Sequence, residues 1–292
     1  MDDEEFLARR FEQHRPQLRA VAYRMLGSLS EAEDAVQEAW LRLSRSDAAE
    51  IDNLAAWLTT VVGRVSLNML RSRRTHAEEP LEAHVPDPVL SPPTGTDPEQ
   101  EALLADAVGL ALLVVLDTLD PAERLAFVLH DMFAVPFDDI APIVGRNPAA
   151  ARQLASRARR RVQGAAATPD PDLGRQREAV DAFLAAARGG DFDGLLAVLD
   201  PDVVLRADYG PSGGTRLVRG AHAVASGAVT YSKLAPLARP ALVNGAAGVV
   251  TVVDGKLLSV LGFLVRGGRI VELDIVADPE RLRDLDVTYL DK

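Results

Sequence analysis

The stretch from Asp120 to Val162 constrains the fold of this chain more than any other, because three successive helix boundaries are written into it. Asp120-Pro121-Ala122-Glu123 sets an acid at an N-cap, a proline at the first helical position and a glutamate three residues after the cap. The helix it opens should run through Phe127 to about His130. Phe137, Ile140, Ile143 and Val144 then recur at helical spacing, and Gly145 supplies the left-handed residue that ends this second helix in a tight turn. Pro142 lies inside it, removes a backbone donor and should kink or shorten it. Asn147-Pro148 restarts the chain as N-cap and first residue of a third helix. Along that helix Ala151, Leu154, Ala155, Ala158 and Val162 face inward, while Arg152, Gln153, Arg157, Arg159, Arg160 and Arg161 supply most of the remaining surface. Two short helices around a glycine turn, followed by an arginine-faced helix, form the pattern of a DNA-binding helix-turn-helix. Its recognition helix presents N-terminal residues to base edges. An arginine-rich face is also a common solvated surface; the turn geometry favours the DNA reading.

Charge supports it locally. The 292-residue chain has a formal net charge of −11, yet residues 146–168 hold six arginines and no acid. A local basic surface binds a polyanion even when acidic segments elsewhere repel it. The acid is concentrated in residues 78–106, which carry eight carboxylates and neither lysine nor arginine. Zero cysteines remove disulfides and thiolate metal sites, and the histidines at 14, 76, 84, 130 and 222 form no ligand-like cluster, so neither a metal nor a cofactor is expected. No uncharged run approaches the roughly 20 residues of a membrane-spanning helix, and the N-terminus is acidic where a signal peptide would be basic. A cytoplasmic chain without membrane contact is expected.

Residues 5–76 read as wholly helical. Phe6, Phe11, Leu18, Val21, Ala22, Met25 and Leu26 form an apolar stripe that breaks near Gly27-Ser28. Ser30, with Glu33 three residues on, is expected to cap a second helix whose buried stripe is Ala35, Val36, Ala39, Trp40 and Leu43. Asp34, Gln37 and Glu38 project together from its other side. A third helix follows Asp52-Asn53 and ends in Arg71, Arg73, Arg74 and His76. Helix C-termini favour cations in any case. Pro80, Pro86, Pro88, Pro92, Pro93 and Gly95 then preclude a helix, leaving an extended acidic linker; helical character resumes at about Glu99 and continues through Leu119.

This order of pieces resembles the extracytoplasmic-function sigma factors. The resemblance rests on Glu31-Ala32-Glu33-Asp34-Ala35-Val36-Gln37-Glu38-Ala39-Trp40 and Ala56-Trp57-Leu58-Thr59-Thr60-Val61, followed by a linker and the DNA module, and it covers residues 5–165. It implies core RNA polymerase and promoter DNA as partners. Asp34, Gln37, Glu38 and Leu41 would face the β′ clamp helices, with the β subunit as a further contact. Trp57, Arg64, Arg71, Arg73 and Arg74 would read the −10 element, and Asn147, Arg152, Gln153, Arg157, Arg160 and Arg161 the −35 element. The acidic linker would thread the RNA exit path as an RNA mimic.

A second linker opens at Thr168-Pro169-Asp170-Pro171. Beyond it, Ala179, Val180, Phe183, Leu184 and Ala187 form a helical stripe, Asp191 starts a second helix, and Val203-Val204-Leu205 starts a sheet. Strands are expected over about Ala241–Asn244, Gly248–Val253, Leu257–Val265 and Arg269–Val276, with Asp254-Gly255 and Gly267-Gly268 as hairpin turns. This α+β order resembles the SnoaL-like, NTF2-like cone carried by one subgroup of these sigma factors. His84-Val85-Pro86-Asp87-Pro88 and Asp278-Pro279-Glu280-Arg281-Leu282 look like altered forms of two subgroup signatures. The loop Asp208-Tyr209-Gly210-Pro211-Ser212-Gly213-Gly214-Thr215-Arg216 stands where a shorter glycine loop is expected.

The expected fold is therefore multidomain: all-α sigma-2 and sigma-4 (helix-turn-helix) domains, then an α+β NTF2-like/SnoaL-like cone. The expected divisions are 1–77, an acidic linker 78–98, 99–166, a linker 167–174 and 175–292. The resemblance implies regulation in cis through His84, Val85, Pro86, Asp87, Pro88, Asp208, Gly213, Gly214, Arg216, Asp278, Pro279 and Leu282. A small-molecule ligand in the cone is a further expectation. The alternative is an isomerase or cyclase with a DNA-binding leader, for which Asp208, Tyr209, His222, Tyr231 and Asp274 would supply acid, base and oxyanion groups. No catalytic residue is assigned, since nothing fixes the mutual spacing of that set.

Overall fold

The computed structural model describes residues 3–46, 51–76, 85–92, 109–165, 170–230, 235–283 and 285. Two compact units emerge. One draws on residues up to 76 and on 115–165; the other on 85–92, 109–114 and residues from 170 onward.

The first unit is helical. Helices α1 (Asp3–Leu26), α2 (Leu29–Leu43) and α3 (Leu54–His76) bury Leu18, Val21, Leu26, Val36, Leu43, Leu58, Val62 and Leu67 among themselves. Gly27, at φ 70°, turns the chain between α1 and α2. The cap of α2 is Ser28, whose hydroxyl accepts from the Glu31 amide, and Ser30 lies inside the helix. Ser28 and Glu31 have the same Ser-x-x-Glu spacing as Ser30 and Glu33; the left-handed Gly27 delivers the chain into the helix directly after Ser28 and so selects the earlier serine.

The rest of this unit is α4 (Leu110–Asp117, which enters it at Val115), α5 (Pro121–Phe127), α6 (Phe137–Val144) and α7 (Pro148–Gly164). Asp120 caps α5 and Asn147 caps α7 through their side-chain oxygens, and Gly145 ends α6 at φ 68°, as the sequence predicts. Beyond α5 the chain continues as a π-helical turn, Val128–Met132, and Ala134 adopts φ 53°. His130 stacks on Phe137 with centroids 3.8 Å apart, and its Nδ1 lies 3.1 Å from the Val135 carbonyl. Pro142 is accommodated because α6 is only eight residues long. At Gly63 of α3 a Cβ would lie 3.3 Å from the Leu129 side chain, so the missing methyl lets α3 approach the helix-turn-helix closely.

The second unit is α+β. Helices α8 (Leu173–Gly189), α9 (Phe192–Val198) and α10 (Ala221–Thr230) pack on one face of a seven-stranded sheet: β1 (Leu90–Ser91), β2 (Leu199–Asp208), β3 (Thr215–Arg219), β4 (Ala238–Val243), β5 (Ala246–Val253), β6 (Lys256–Arg266) and β7 (Arg269–Val276). The order among the described residues is β1-β4-β5-β6-β7-β2-β3; β2 and β7 pair in parallel and the other neighbours are antiparallel. Phe183, Leu184, Leu195, Val203, Val249, Phe263 and Leu273 fill the space between helices and sheet. Asp254-Gly255 and Gly267-Gly268 make the expected two-residue turns; Asn244-Gly245 makes a third, at φ 51° and 76°. The fourth strand therefore ends at Val243, before the asparagine. Strand β3 and helix α10 carry no comparable boundary signals in the sequence. A short helix, α11 (Pro279–Arg283), follows β7. No helix among the described residues is long and apolar enough to cross a membrane.

The proline-rich linker is not wholly irregular. Leu90 and Ser91 pair with Val243 and Leu242 as an edge strand, and the Val89 amide and carbonyl exchange bonds of 3.1 and 2.8 Å with the Asn244 side chain and amide. Flanking prolines leave too few donors for a longer ladder.

Candidate functional site

Helix α7 is amphipathic in the expected sense. Ala151, Ala155 and Ala158 are buried, and Arg152, Gln153, Arg157, Arg160 and Arg161 are exposed. Its cations are not equivalent. Arg157 and Arg161 pair at 2.7 and 3.2 Å with Glu123, a carboxylate buried on α5, and Arg159 pairs at 2.5 Å with Asp131. Arg152 lies over the Phe137 ring, 5.2 Å from its centroid. The Arg160 guanidinium bonds the Ser156 carbonyl one turn back on α7, 3.4 Å away. Arg157 and Arg161 thus tie α7 to α5, whereas Arg152, Gln153 and Arg160 are exposed, with Arg152 resting on Phe137 of α6.

The basic end of α3 is also divided. Arg64 and Arg71 are exposed and Trp57 is half-buried. Arg73 donates to the Leu26 carbonyl at 3.1 Å and pairs with Glu31; Arg74 pairs with Asp120 at 3.0 Å and donates to the Leu119 carbonyl at 3.3 Å. His76 has its backbone in the helix.

On α2, Asp34, Gln37 and Leu41 are exposed, and Glu38 pairs with Arg42 at 2.8 Å. Leu41 is 37% exposed, an apolar side chain placed beside two acids. A groove along α1 and α2 borders this face, with Phe11 and Trp40 at its base, their centroids 5.1 Å apart.

Besides the edge strand, one arginine of the second unit makes two bonds to the linker. Arg281 of α11 donates to Asp87 at 2.6 Å, to Asp208 at 2.5 Å and to the Val85 carbonyl at 2.7 Å. Pro86 and Pro88 flank the Asp87 contact. The end of β2 and the end of β7 are joined as well, since the Ala277 amide donates to the Asp208 carbonyl at 2.7 Å. Gly210 is required here: at φ 75°, a Cβ would lie 2.6 Å from the Asp278 carboxyl carbon. Asp278 caps α11, and Leu282 is buried behind it. Val85, Asp87, Asp208 and Asp278 therefore converge, while Gly213, Gly214 and Arg216 lie at the outer end of the β2–β3 hairpin. Pro279 opens α11. His84 lies outside the described residues. Arg281 lies within the Asp278–Leu282 signature read from the sequence but is not singled out there among the regulatory residues.

Among the described residues, three of the groups offered for catalysis have other partners. Asp208 is held by Arg281, His222 stands edge-on to Phe192, and Asp274 pairs with Arg206 at 3.1 Å on the sheet face opposite the apolar core. Tyr231 lies outside the described residues. Burial pushes the Asp274 carboxyl up to about 6, with Arg206 pulling it down and Glu272 pushing it further up.

Known proteins show the same layout. Residues 10–76 match the model for Sigma-70 region 2, and residues 109–162 the model for Sigma-70, region 4. The chain is 39% identical over 287 residues to the ECF RNA polymerase sigma factor SigJ of Mycobacterium tuberculosis, an alignment covering 93% of this chain and 91% of that one. It is 34% identical over 281 residues to the probable ECF RNA polymerase sigma factor SigI of the same species, covering 93% of each. The crystal structure of M. tuberculosis SigJ superposes with a TM-score of 0.77 at 36% identity, covering 96% of this chain and 100% of that chain.

Proposed function

Because the chain belongs to the extracytoplasmic-function sigma factors of RNA polymerase, we propose that it divides promoter recognition between its two helical segments and that the C-terminal α+β domain regulates it in cis. The observation that carries this reading is the pairing, in one chain, of an acidic α2 face bearing an exposed leucine with an α7 face bearing Arg152, Gln153 and Arg160. Residues 1–77 bind core polymerase and read the −10 element; residues 99–166 read the −35 element; residues 175–292 form the regulatory domain. On this reading Asp34, Gln37, Glu38 and Leu41 dock on the β′ clamp helices, with the β subunit as a second contact, while the linker's carboxylates suit an RNA channel.

Core polymerase tests it directly. The full chain is expected to co-elute with core enzyme and to confer promoter-specific initiation; a chain that binds DNA but does neither is not acting as a sigma factor. Reversing charge at Asp34 and Glu38 should weaken core binding at least tenfold without unfolding the protein, because exposed substitutions rarely cost more than about 0.5 kcal/mol. Unchanged core affinity in the folded double variant removes the α2 face from the interface.

The α7 assignment separates by residue. Arg152→Ala and Gln153→Ala should each cost about 1–3 kcal/mol on the −35 element and relax its sequence preference. Arg160→Ala should weaken specific and random DNA alike and reduce the salt slope by about one. Equal losses on both DNAs for Arg152 and Gln153 would make them phosphate contacts.

The closed helical unit fits a resting state. Elements about 25 base pairs apart are separated by about 85 Å along B-DNA, at roughly 3.4 Å per step. Arg74 of α3 pairs directly with Asp120 at the head of the helix-turn-helix, so both readers reach their elements only after this unit opens.

A further inference from the structure

Asp274 sits in a chemically unusual place. It projects from β7 on the face opposite the apolar core, directly across the ladder from Arg206 of β2 and Gly262 of β6. Gly109, Leu110 and Ala111 close over it with Val243, Ala246, Gly262 and Leu264, leaving a cavity of about 10 Å³, room for at most one water. Leu110 fits where Gly262 lacks a side chain; a Cβ there would lie 3.1 Å from the Leu110 methyl. The carboxylate therefore faces apolar groups on one side and a single arginine on the other.

The charge immediately around Arg206 does not balance among the contacts of the described residues. Arg206 is shared between Asp274 at 3.1 Å and Glu272 at 3.0 Å, so one cation serves two acids. Among the described residues that line the cavity with Asp274, all the others are uncharged: Gly109, Leu110 and Ala111 from the segment, Val243 from β4, Ala246 from β5, and Gly262, Phe263 and Leu264 from β6. Protonating Asp274 neutralises the cluster, and lifting the segment over it restores water to the carboxylate.

We propose that residues 109–114 form a pH-sensitive latch, seated on the sheet when the Asp274 carboxyl is protonated and loosened when it is ionised. Val114, within α4, is the last residue of that helix belonging to the second unit. The sign follows from burial. Asp274 titrates near 6 when covered and near its ordinary value of 3.8 when hydrated, so seating is favoured at acid pH and weakens as pH rises through about 6. About two pKa units limit the change in the seated-to-released ratio to about a hundredfold.

Amide exchange on the full chain, expressed as protection factors, reads this ratio. The Leu112 and Leu113 amides, which bond the Gly109 carbonyl, should lose protection between about pH 5 and pH 8 by up to about a hundredfold. The Val249 and Leu261 amides, within the β5–β6 ladder, should not change. Asp274→Asn should hold the acid-pH level of protection throughout. A flat profile in the native chain, or the native slope retained in Asp274→Asn, overturns the latch. If that variant fails to fold, carbon NMR titration of Asp274 in the native protein decides: a midpoint near 6 supports the latch, one near its ordinary value of 3.8 excludes it. Glu272→Gln should lower that midpoint, since the Glu272 charge raises it; an unmoved midpoint counts against the cluster as its cause.

Discussion

Replacing Arg124 by alanine is expected to cost the helical unit about 3–5 kcal/mol, the usual penalty for removing one partner of a buried ion pair. The Arg124 and Asp117 side chains are 2% and 5% exposed, so deletion leaves the Asp117 carboxylate charged in a dry interior. The arginine also closes a helix end: its Nε and Nη2 donate at 3.1 and 3.0 Å to the Arg24 carbonyl, near the C-terminus of α1. Helix ends leave their last carbonyls without intrahelical partners and carry negative partial charge, which a guanidinium satisfies well. Urea denaturation followed by far-UV circular dichroism measures the loss, and a melting temperature lower by roughly 10 °C should accompany it. Replacing Asp117 and Arg124 together by leucine should recover much of the stability, because two matched apolar groups bury no unpaired charge. A loss below about 1 kcal/mol for the single variant would mean that water reaches Asp117. Promoter reading gives the contact a further consequence, since a unit that opens more easily should bind core polymerase more readily at temperatures where it remains folded.

Arg281→Ala should release the linker from the C-terminal domain. Its side chain and those of Asp87 and Asp208 are 19%, 15% and 11% exposed, so the two ion pairs are largely desolvated and about 2–5 kcal/mol rides on the arginine. Asp278, the neighbouring carboxylate, caps α11 through the Glu280 amide at 2.9 Å. Limited proteolysis should therefore cut the linker around Val85–Val89 at least tenfold faster in the variant, while β5, β6 and β7 stay protected. Transcription from a mapped promoter should change in the same preparation if the domain acts in cis. Arg281→Lys keeps the charge but cannot serve Asp87, Asp208 and the Val85 carbonyl together, and should recover only part of the protection. Cleavage and transcription both equal to the native chain would show that linker docking does not regulate activity.

The limits of sequence reading follow the range of each interaction. Asp120, Gly145 and Asn147 announce their helix boundaries because capping and left-handed turns are settled within about four residues. The Asp254-Gly255 and Gly267-Gly268 hairpins are legible for the same reason. Where two local signals compete, local reasoning slips: Ser28 caps α2, although Ser30 has the same spacing to a glutamate.

The exposed side of α7 is legible as a face but not as a set of individual roles. Helical periodicity places Arg152, Arg157, Arg160 and Arg161 on the outside, yet only packing shows that Glu123, 34 residues before Arg157, takes Arg157 and Arg161. Arg281 meets Asp87 across 194 residues, and Arg124 meets the Arg24 carbonyl across 100. Such partners have no sequence period, because a buried charge is satisfied by whichever group the completed fold brings within about 3 Å. The sequence by itself determined the helix boundaries, the order of the pieces and the family, all of which rest on short-range backbone preferences and contiguous motifs. Tertiary structure alone decided which carboxylate each arginine holds, that a two-residue strand of the linker completes the sheet edge, and that Asp274 is buried, since desolvation depends on elements far apart in the chain closing over the same point.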